Sequence, residues 1–396
     1  MKQFIVGAGL MLAALSAEAE GHLKAVLQQA DSGHPTKLTL TLTNDGDRPV
    51  AFERFTTPLQ LLDGVHTSYR QFEVVEAGNE DIEAQYRGYF VHNVGHPVES
   101  FITLQPGEAK VATYDLAVDY KLKAGVTYKV SFSMALGQGP EDDLGQALPS
   151  VLRVAAPQEV ISNVLVIGIP VGTDVSGGVR EARVGPQPAI SDPHQSQLDD
   201  AVLYGYNYMA NPAWVNYAEG LPPLDSPGTS IHSPQYEKWF GKYANNTTED
   251  RTVTGTLQAV AHRLSQSFSG NALHKIRWVD GCAAGTDPQT VAIAHTGAMD
   301  TDHVYEIAVC AKFWTLAARP VKGSPADSQA ATIVHEISHF YDLATDTTGW
   351  TKPTYDYQGS AYNRAACQKL AVTDRAKAVR SASNYEYYIS DVQTRF

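Results

Sequence analysis

Ala330-Ala331-Thr332-Ile333-Val334-His335-Glu336-Ile337-Ser338-His339-Phe340-Tyr341 decides how the second half of this chain folds. The run is apolar and free of Gly and Pro until Gly349, so it can be helical. On a helix, residues four apart share a face, so His335 and His339 can turn two imidazoles toward one ion. Glu336 points about a quarter-turn away, where it can reach a water beside the ion without binding the ion itself. Two His ligands and a Glu base at this spacing are the pattern of zinc-dependent hydrolysis.

Working outward, 396 residues predict two domains. Hydrophobic residues make up 43% and charged residues 18%, the composition of a globular chain. A formal net charge of −13 disfavours nucleic acid and anionic membrane surfaces as partners. At the N-terminus, Met1-Lys2-Gln3 precedes an apolar stretch from Phe4 to Leu15, and Ala17-Glu18-Ala19 fits a small-x-small cleavage site. Residues 1–19 therefore read as a signal peptide. The mature chain is expected to be a soluble monomer, secreted through the periplasm. In an oxidising compartment two of the three cysteines should pair. Cys282 and Cys310 each end a strand-like stretch, Ile276–Val279 and Tyr305–Val309, so 282–310 is the expected disulfide. Cys367 falls in a helical run, where a buried thiol packs like Ala.

Two textures divide the rest. Residues 20–180 are strand-rich: Lys37-Leu38-Thr39-Leu40-Thr41-Leu42-Thr43 alternates cleanly, and Val111–Leu116 and Val126–Phe132 repeat the pattern. Such short alternating strands predict an all-β, sandwich-like domain. A Gly- and Pro-rich stretch from Val171 to Pro193, holding Arg180 and Arg183, follows as linker or propeptide junction. In the first half, His92-Asn93-Val94-Gly95-His96 repeats the two-His spacing. It lacks the Glu, and Gly95 and Pro97 oppose a helix, so it is set aside as a metal site. From Ser191 the pattern turns helical, at Gln195–Met209, Ser233–Gly241 and Thr252–Phe268. Strand pieces at 276–279, 290–295 and 304–310 precede the motif helix. This is an α+β, zincin-type order. Thr290–His295 is the candidate edge strand for binding an extended substrate.

Catalytic zinc usually keeps three protein ligands and one open position. No His-x-x-Gly-x-x-His extension follows His339, which excludes the metzincin pattern. Asp346, Asp356 and Glu386 remain as candidates for the third ligand.

The stretches Tyr236–Tyr243, Cys310–Trp314, His335–Phe340, Ala365–Ala371 and Ala378–Tyr388 together resemble the aspzincin family. That family comprises the deuterolysins and, more closely, the peptidyl-Lys metalloendopeptidases and the secreted toxic aspzincins of bacterial pathogens. The resemblance spans roughly residues 190–396. It implies a zinc metalloendopeptidase domain over 181–396, one Zn²⁺ per chain, and a β-rich propeptide over 20–180 that acts as intramolecular inhibitor and folding aid. Protein or peptide substrates follow.

The family's third ligand comes from a Gly-Thr-x-Asp-x-x-Tyr-Gly segment. Here Thr354-Tyr355-Asp356 supplies Thr-x-Asp and Tyr362-Asn363 stands for Tyr-Gly, with extra residues before and after the Asp. Ala344-Thr345-Asp346 is the alternative. The resemblance thus gives Asp356, or Asp346, as ligand, and Tyr362 as oxyanion donor. It also gives Glu386 and Ser383 as the pocket for the residue after the scissile bond, where the lysine-specific members carry two carboxylates. One carboxylate favours Lys or Arg there. Glu336 is expected to act as general base. The departure in the ligand loop motivates an alternative, a weak or inactive zincin acting as a secreted binding protein or toxin component.

Overall fold

Alternation of apolar and polar residues builds the N-terminal half, because successive side chains of a strand point to opposite faces. The computed structural model describes residues 21–31, 33–62, 64–93, 100–136, 158–172, 190–209, 234–244, 247–269, 276–282, 286–296, 305–321, 326–340, 353–356 and 364–391. The signal segment, Arg180, Arg183, His96, Asp346 and Tyr362 lie outside these residues.

Strands β1 (Leu23–Gln29) and β2 (Lys37–Asn44) form an antiparallel sheet with β9 (Ala109–Asp115). A second sheet runs β12 (Gln158–Ile161), β11 (Thr127–Leu136), β4 (Phe72–Glu76), β5 (Asn79–Glu83), with β13 (Leu165–Gly168) also on β11. Leu38, Leu40 and Leu42 of β2 and Val130 and Phe132 of β11 are buried in one apolar cluster. The first sheet packs on the second through β1, in the expected sandwich manner. Shorter strands β3 (Val50–Glu53) with β8 (Phe101–Leu104), and β6 (Gln85–Tyr86) with β10 (Tyr120–Lys121), close its margins. A single helical turn, α1 (Leu116–Asp119), links β9 to β10.

The second half supplies α2 (Asp192–Met209), α3 (Pro234–Phe240) and α4 (Thr248–Ser269). Pro234 at the first helical position suits its fixed φ. Gly241 ends α3 at a φ of 74°, and a Cβ there would stand 2.5 Å from the Ala371 carbonyl oxygen. Only glycine fits. Strands β14 (Ile276–Asp280) and β16 (Tyr305–Val309) then pair in parallel, and β15 (Thr290–His295) runs antiparallel to β16. The register Asp280↔Val309 brings two strand ends together. Cys282 and Cys310 are accordingly disulfide-bonded, with Cα atoms 5.1 Å apart, and Cys367 is a buried free thiol. Helices α5 (Gln329–Ser338), α6 (Arg364–Thr373), α7 (Arg375–Ala378) and α8 (Ala382–Asp391) complete the α/β half. Among the described residues no helix is long and apolar enough to cross a membrane.

One strand departs from the linear division at residue 180. Strand β7 (Tyr89–Asn93), from the first half, pairs antiparallel with β15 and makes the order β14-β16-β15-β7. The edge expected to be open to substrate is covered by the chain itself. The seam is apolar: Tyr89 and Val91 join Phe55, Tyr69, Ile293 and Cys310 in one cluster.

Candidate metal centre

Helix α5 is buried along its whole length and carries the motif. Ser328 caps it, its side chain accepting from the Ala331 N–H at 3.2 Å. Its C-terminal carbonyls meet Arg263 of α4, which donates to the oxygens of Ile337 at 2.9 Å and Phe340 at 2.8 Å. That buried guanidinium neutralises the negative end of the helix and fixes where it stops. The regular helix ends at Ser338, but His339 keeps helical dihedrals (φ −72°, ψ −17°), so the four-residue spacing still puts both imidazoles on one face.

Asp356 completes the set. Its two oxygens lie 3.0 Å from His335 Nε2 and 3.5 Å from His339 Nε2. The three could hold one ion, all being buried and mutually within 4.8 Å. Second contacts orient each ring. His339 Nδ1 donates to the Thr354 carbonyl at 3.1 Å, and His335 Nδ1 donates to Glu386 Oε2 at 2.9 Å. Both therefore keep Nε2 for a metal, the arrangement that fixes tautomers at zinc sites. The two Nε2 atoms and both Asp356 oxygens are buried with no hydrogen-bond partner among the described residues. Buried polar atoms are normally satisfied. Four orphaned atoms converging from two imidazoles and a carboxylate fit a zinc ion.

Burial and neighbouring charge act differently on each group. Burial pushes His339 down to about 4, so it stands neutral, as a ligand must. Burial alone would depress His335, but Asp356 and Glu386 on its two nitrogens raise it. Burial would also raise Asp356, yet the two histidines hold its carboxyl below the usual range. Glu336 is buried with neither oxygen bonded among the described residues, and desolvation pushes it up to about 8. Such a carboxylate is poised to hold and release a proton near neutrality.

The ligand segment is anchored from the first half. Asp356 follows Tyr355, whose backbone bonds Arg380 and Ala382 and whose hydroxyl donates to Glu83 Oε2 at 2.9 Å. Glu83 of β5 also accepts from Arg70 and Arg380, both at 2.8 Å, and those two guanidiniums lie over the Tyr355 ring at 4.2 and 4.4 Å. Strand β7 reaches the ligands directly. Phe90 stacks on His339 with centroids 4.0 Å apart, and His92 meets His335 edge-on at 4.3 Å. His92, His335 and Glu386 form a second group of metal-capable atoms that shares His335.

The structure thus brings His335, Glu336, His339, Asp356 and Glu386 together, with Ser383 buried one turn before Glu386 on α8. Glu386 meets His335 at Nδ1, the nitrogen turned away from Asp356, so it braces the ring and does not join the set formed by the two Nε2 atoms. The sequence reading set the His92–His96 pair aside as a metal site and assigned His92 no other role; β7 carries His92 against His335. Phe90, Asp327 and Glu83 were also missed. The one available signal was the β-prone run Tyr89-Phe90-Val91, which marks a strand but not its partner.

A buried His-Glu-x-x-His helix whose imidazoles meet an aspartate defines a zincin-type metallopeptidase. Residues 228–390 match the aspzincin family, described as lysine-specific metallo-endopeptidase. An extracellular protease of Aeromonas hydrophila is 23% identical over 364 residues, covering 89% of this chain and 87% of that protein. A peptidyl-Lys metalloendopeptidase of Grifola frondosa is 34% identical over 223 residues, 54% of this chain and 51% of the relative, so the chain spans about half that protein's length. A solved zinc peptidase from Grifola frondosa shares 26% identity and covers 51% of this chain and 97% of its own, at a TM-score of 0.35. Through residues 228–390 the chain is thus similar to the aspzincin family of zinc metalloendopeptidases, and the relatives it matches are proteases.

Proposed function

We propose that this chain is the secreted precursor of a zinc endopeptidase that its own N-terminal half holds inactive. Residues 1–19 are the export signal, 20–180 the propeptide and 181–396 the protease. His335, His339 and Asp356 hold one zinc ion, which when bound acidifies water and polarises a carbonyl. Glu336 takes the proton of the attacking water and returns it to the leaving amine. Its burial keeps competing water away and its raised affinity for protons suits the transfer. Tyr362 donates to the oxyanion. Glu386 holds His335 by Nδ1, and together with Ser383 on the same helix it favours Lys or Arg after the scissile bond.

The observation that carries the inhibitory reading is β7. It lies on β15 as an added strand, the mode by which peptides bind exposed sheet edges. Phe90 and His92, two residues apart and so on one face, then cover the two ligand histidines. A substrate cannot reach the edge until β7 leaves.

The test uses the full chain expressed with its leader. Zinc content, peptide hydrolysis with and without a chelator, and mass spectrometry of the secreted product are measured. The expected product binds one zinc, is chelator-sensitive and starts near residues 181–190. A fully active product that retains residues 20–180 would refute the propeptide reading. Asp356→Ala should strip zinc and activity together, and Asp346→Ala should do far less. The reverse ranking would move the ligand to Asp346.

A further inference from the structure

Ser383 leaves the pocket beside Glu386 with one carboxylate on helix α8, yet a second carboxylate reaches the same place from another element. Asp327 immediately precedes Ser328, the cap of α5. Its Oδ2 lies 3.8 Å from His92 Nε2, and Glu386 Oε1 lies 3.8 Å from the same nitrogen. His92 is 3% exposed and Glu386 1%. Glu386 Oε1 is buried with no hydrogen-bond partner among the described residues. It belongs to the oxygen not used on His335. Burial together with the Glu386 charge raises part-exposed Asp327, and a hydrogen bond from Asp327 in turn lowers Glu386, so the two carboxyls compete for one proton. A cation between them relieves that competition.

His92 stands in that position, and it arrives there on a strand laid along the substrate edge. We propose that Asp327 is the second carboxylate of the pocket that receives the side chain following the scissile bond, and that His92 occupies this pocket in the precursor in place of a substrate's Lys or Arg. The charge absent at Ser383 is supplied by Asp327 from the opposite wall. This deepens, and rests on, the reading of β7 as the strand that fills the cleft and of Glu386 as a pocket residue. The physical consequence is selectivity by penalty: a neutral side chain entering the pocket leaves buried Glu386 and the adjoining, part-exposed Asp327 without a counter-charge, and unpaired buried charge is what a binding site rejects most strongly.

The experiment is a competition. Two peptides identical except for Lys or Met after the cut are mixed in one tube with protein obtained by expressing the full chain. The product ratio gives the ratio of kcat/KM, and it is independent of how much variant protein folds. For Asp327→Asn the Lys-to-Met ratio should fall roughly 30- to 300-fold, the scale of losing one partner of a buried charge pair. Asp327→Glu should keep most of the preference, since the charge remains. Ser383→Asp alone should raise the ratio no more than about threefold, because the pocket already holds two charges, whereas Ser383→Asp added to Asp327→Asn should recover much of the loss. A Lys preference kept in Asp327→Asn but lost in Glu386→Gln refutes this inference and leaves the Glu386 pocket standing. A wild-type protein that cuts peptides with no basic preference refutes both. A rise of tenfold or more in Ser383→Asp alone also refutes it.

Discussion

Two of the fully buried carboxylates among the described residues, Asp119 in the first half and Glu336 in the second, are treated in opposite ways. Asp119, at the end of α1, has every direction filled. Its Oδ1 meets His66 Nδ1 at 2.6 Å, and its Oδ2 accepts from the Thr67 N–H at 3.0 Å, the Thr67 hydroxyl at 2.9 Å and the Tyr114 hydroxyl. Glu336, in the middle of α5, has neither oxygen bonded among the described residues, and two unbonded Asp356 oxygens share its neighbourhood. A satisfied buried carboxylate ties strands and turns into one arrangement. An unsatisfied one costs stability, and folds keep it where chemistry needs it. Polarity inside a protein therefore says little until its partners are counted.

The strongest way to break this comparison is Glu336→Gln. The amide keeps the volume and removes the base, so peptide hydrolysis should fall roughly 10³-fold or more. The melting temperature should stay level, because burial already holds the carboxyl largely protonated at neutral pH and the amide keeps its volume. A clear drop in melting temperature with activity retained would place Glu336 with Asp119 as a structural group. Asp119→Ala should do the converse. It strands four donors in the first half and costs about 3 kcal/mol, read in urea unfolding, while the protein that folds keeps its zinc. Loss of zinc in Asp119→Ala with unchanged unfolding would invert the distinction.

A smaller effect sharpens the contrast at the seam between halves. Phe90→Ala removes the ring stacked on His339, worth about 1–2 kcal/mol, so the uncleaved chain should leak activity by roughly tenfold. Activity unchanged in the uncleaved variant would mean that β7 is held by its backbone and by the Tyr89 and Val91 cluster alone.

The mildest test is pH. Burial would raise Glu83, but Arg380 and Arg70 hold its carboxyl well below the usual carboxylate range. A lowered pKa means that the folded state binds the proton less well than the unfolded chain. The stabilisation is therefore present above the ordinary value of 4.5 and is lost as pH falls toward the depressed folded value. Melting temperature should decline below that point, and Glu83→Gln should flatten the decline. An identical acid limb in Glu83→Gln would assign it to other carboxylates.

Local patterns made much of this legible. The motif helix, Thr290–His295 as a strand, the helix started by Pro234 and the Cys282–Cys310 pairing all follow from periodicity, caps and strand ends close in sequence. The union of β7 with β15 was not legible. About two hundred residues separate the partners, and no local preference selects which edge a strand joins; packing of the whole chain does. His92 was missed for that reason, and so was the contact of Glu83 with the segment bearing Asp356. The sequence named Glu386 as a site residue, but its orientation against His335 Nδ1 depends on how α8 packs on α5.

The pairing of β7 with β15 is pinned at both ends. Thr290 Oγ1 donates to Asn93 Oδ1 at 2.6 Å beside an irregularity between Thr290 and Ala292, and Thr296 donates twice to the Gly88 carbonyl, at 3.2 and 2.8 Å. These pins set the phase of the strand. Sliding it by one residue would exchange its faces, swinging Phe90 and His92 away from the histidines and presenting Tyr89 and Val91 instead. Thr290 and Thr296 touch neither ligand histidine in any described contact, yet they decide which letters of the strand the metal site reads. If β7 inhibits as proposed, a change at Thr290 alters that inhibition without altering a single group proposed to take part in catalysis.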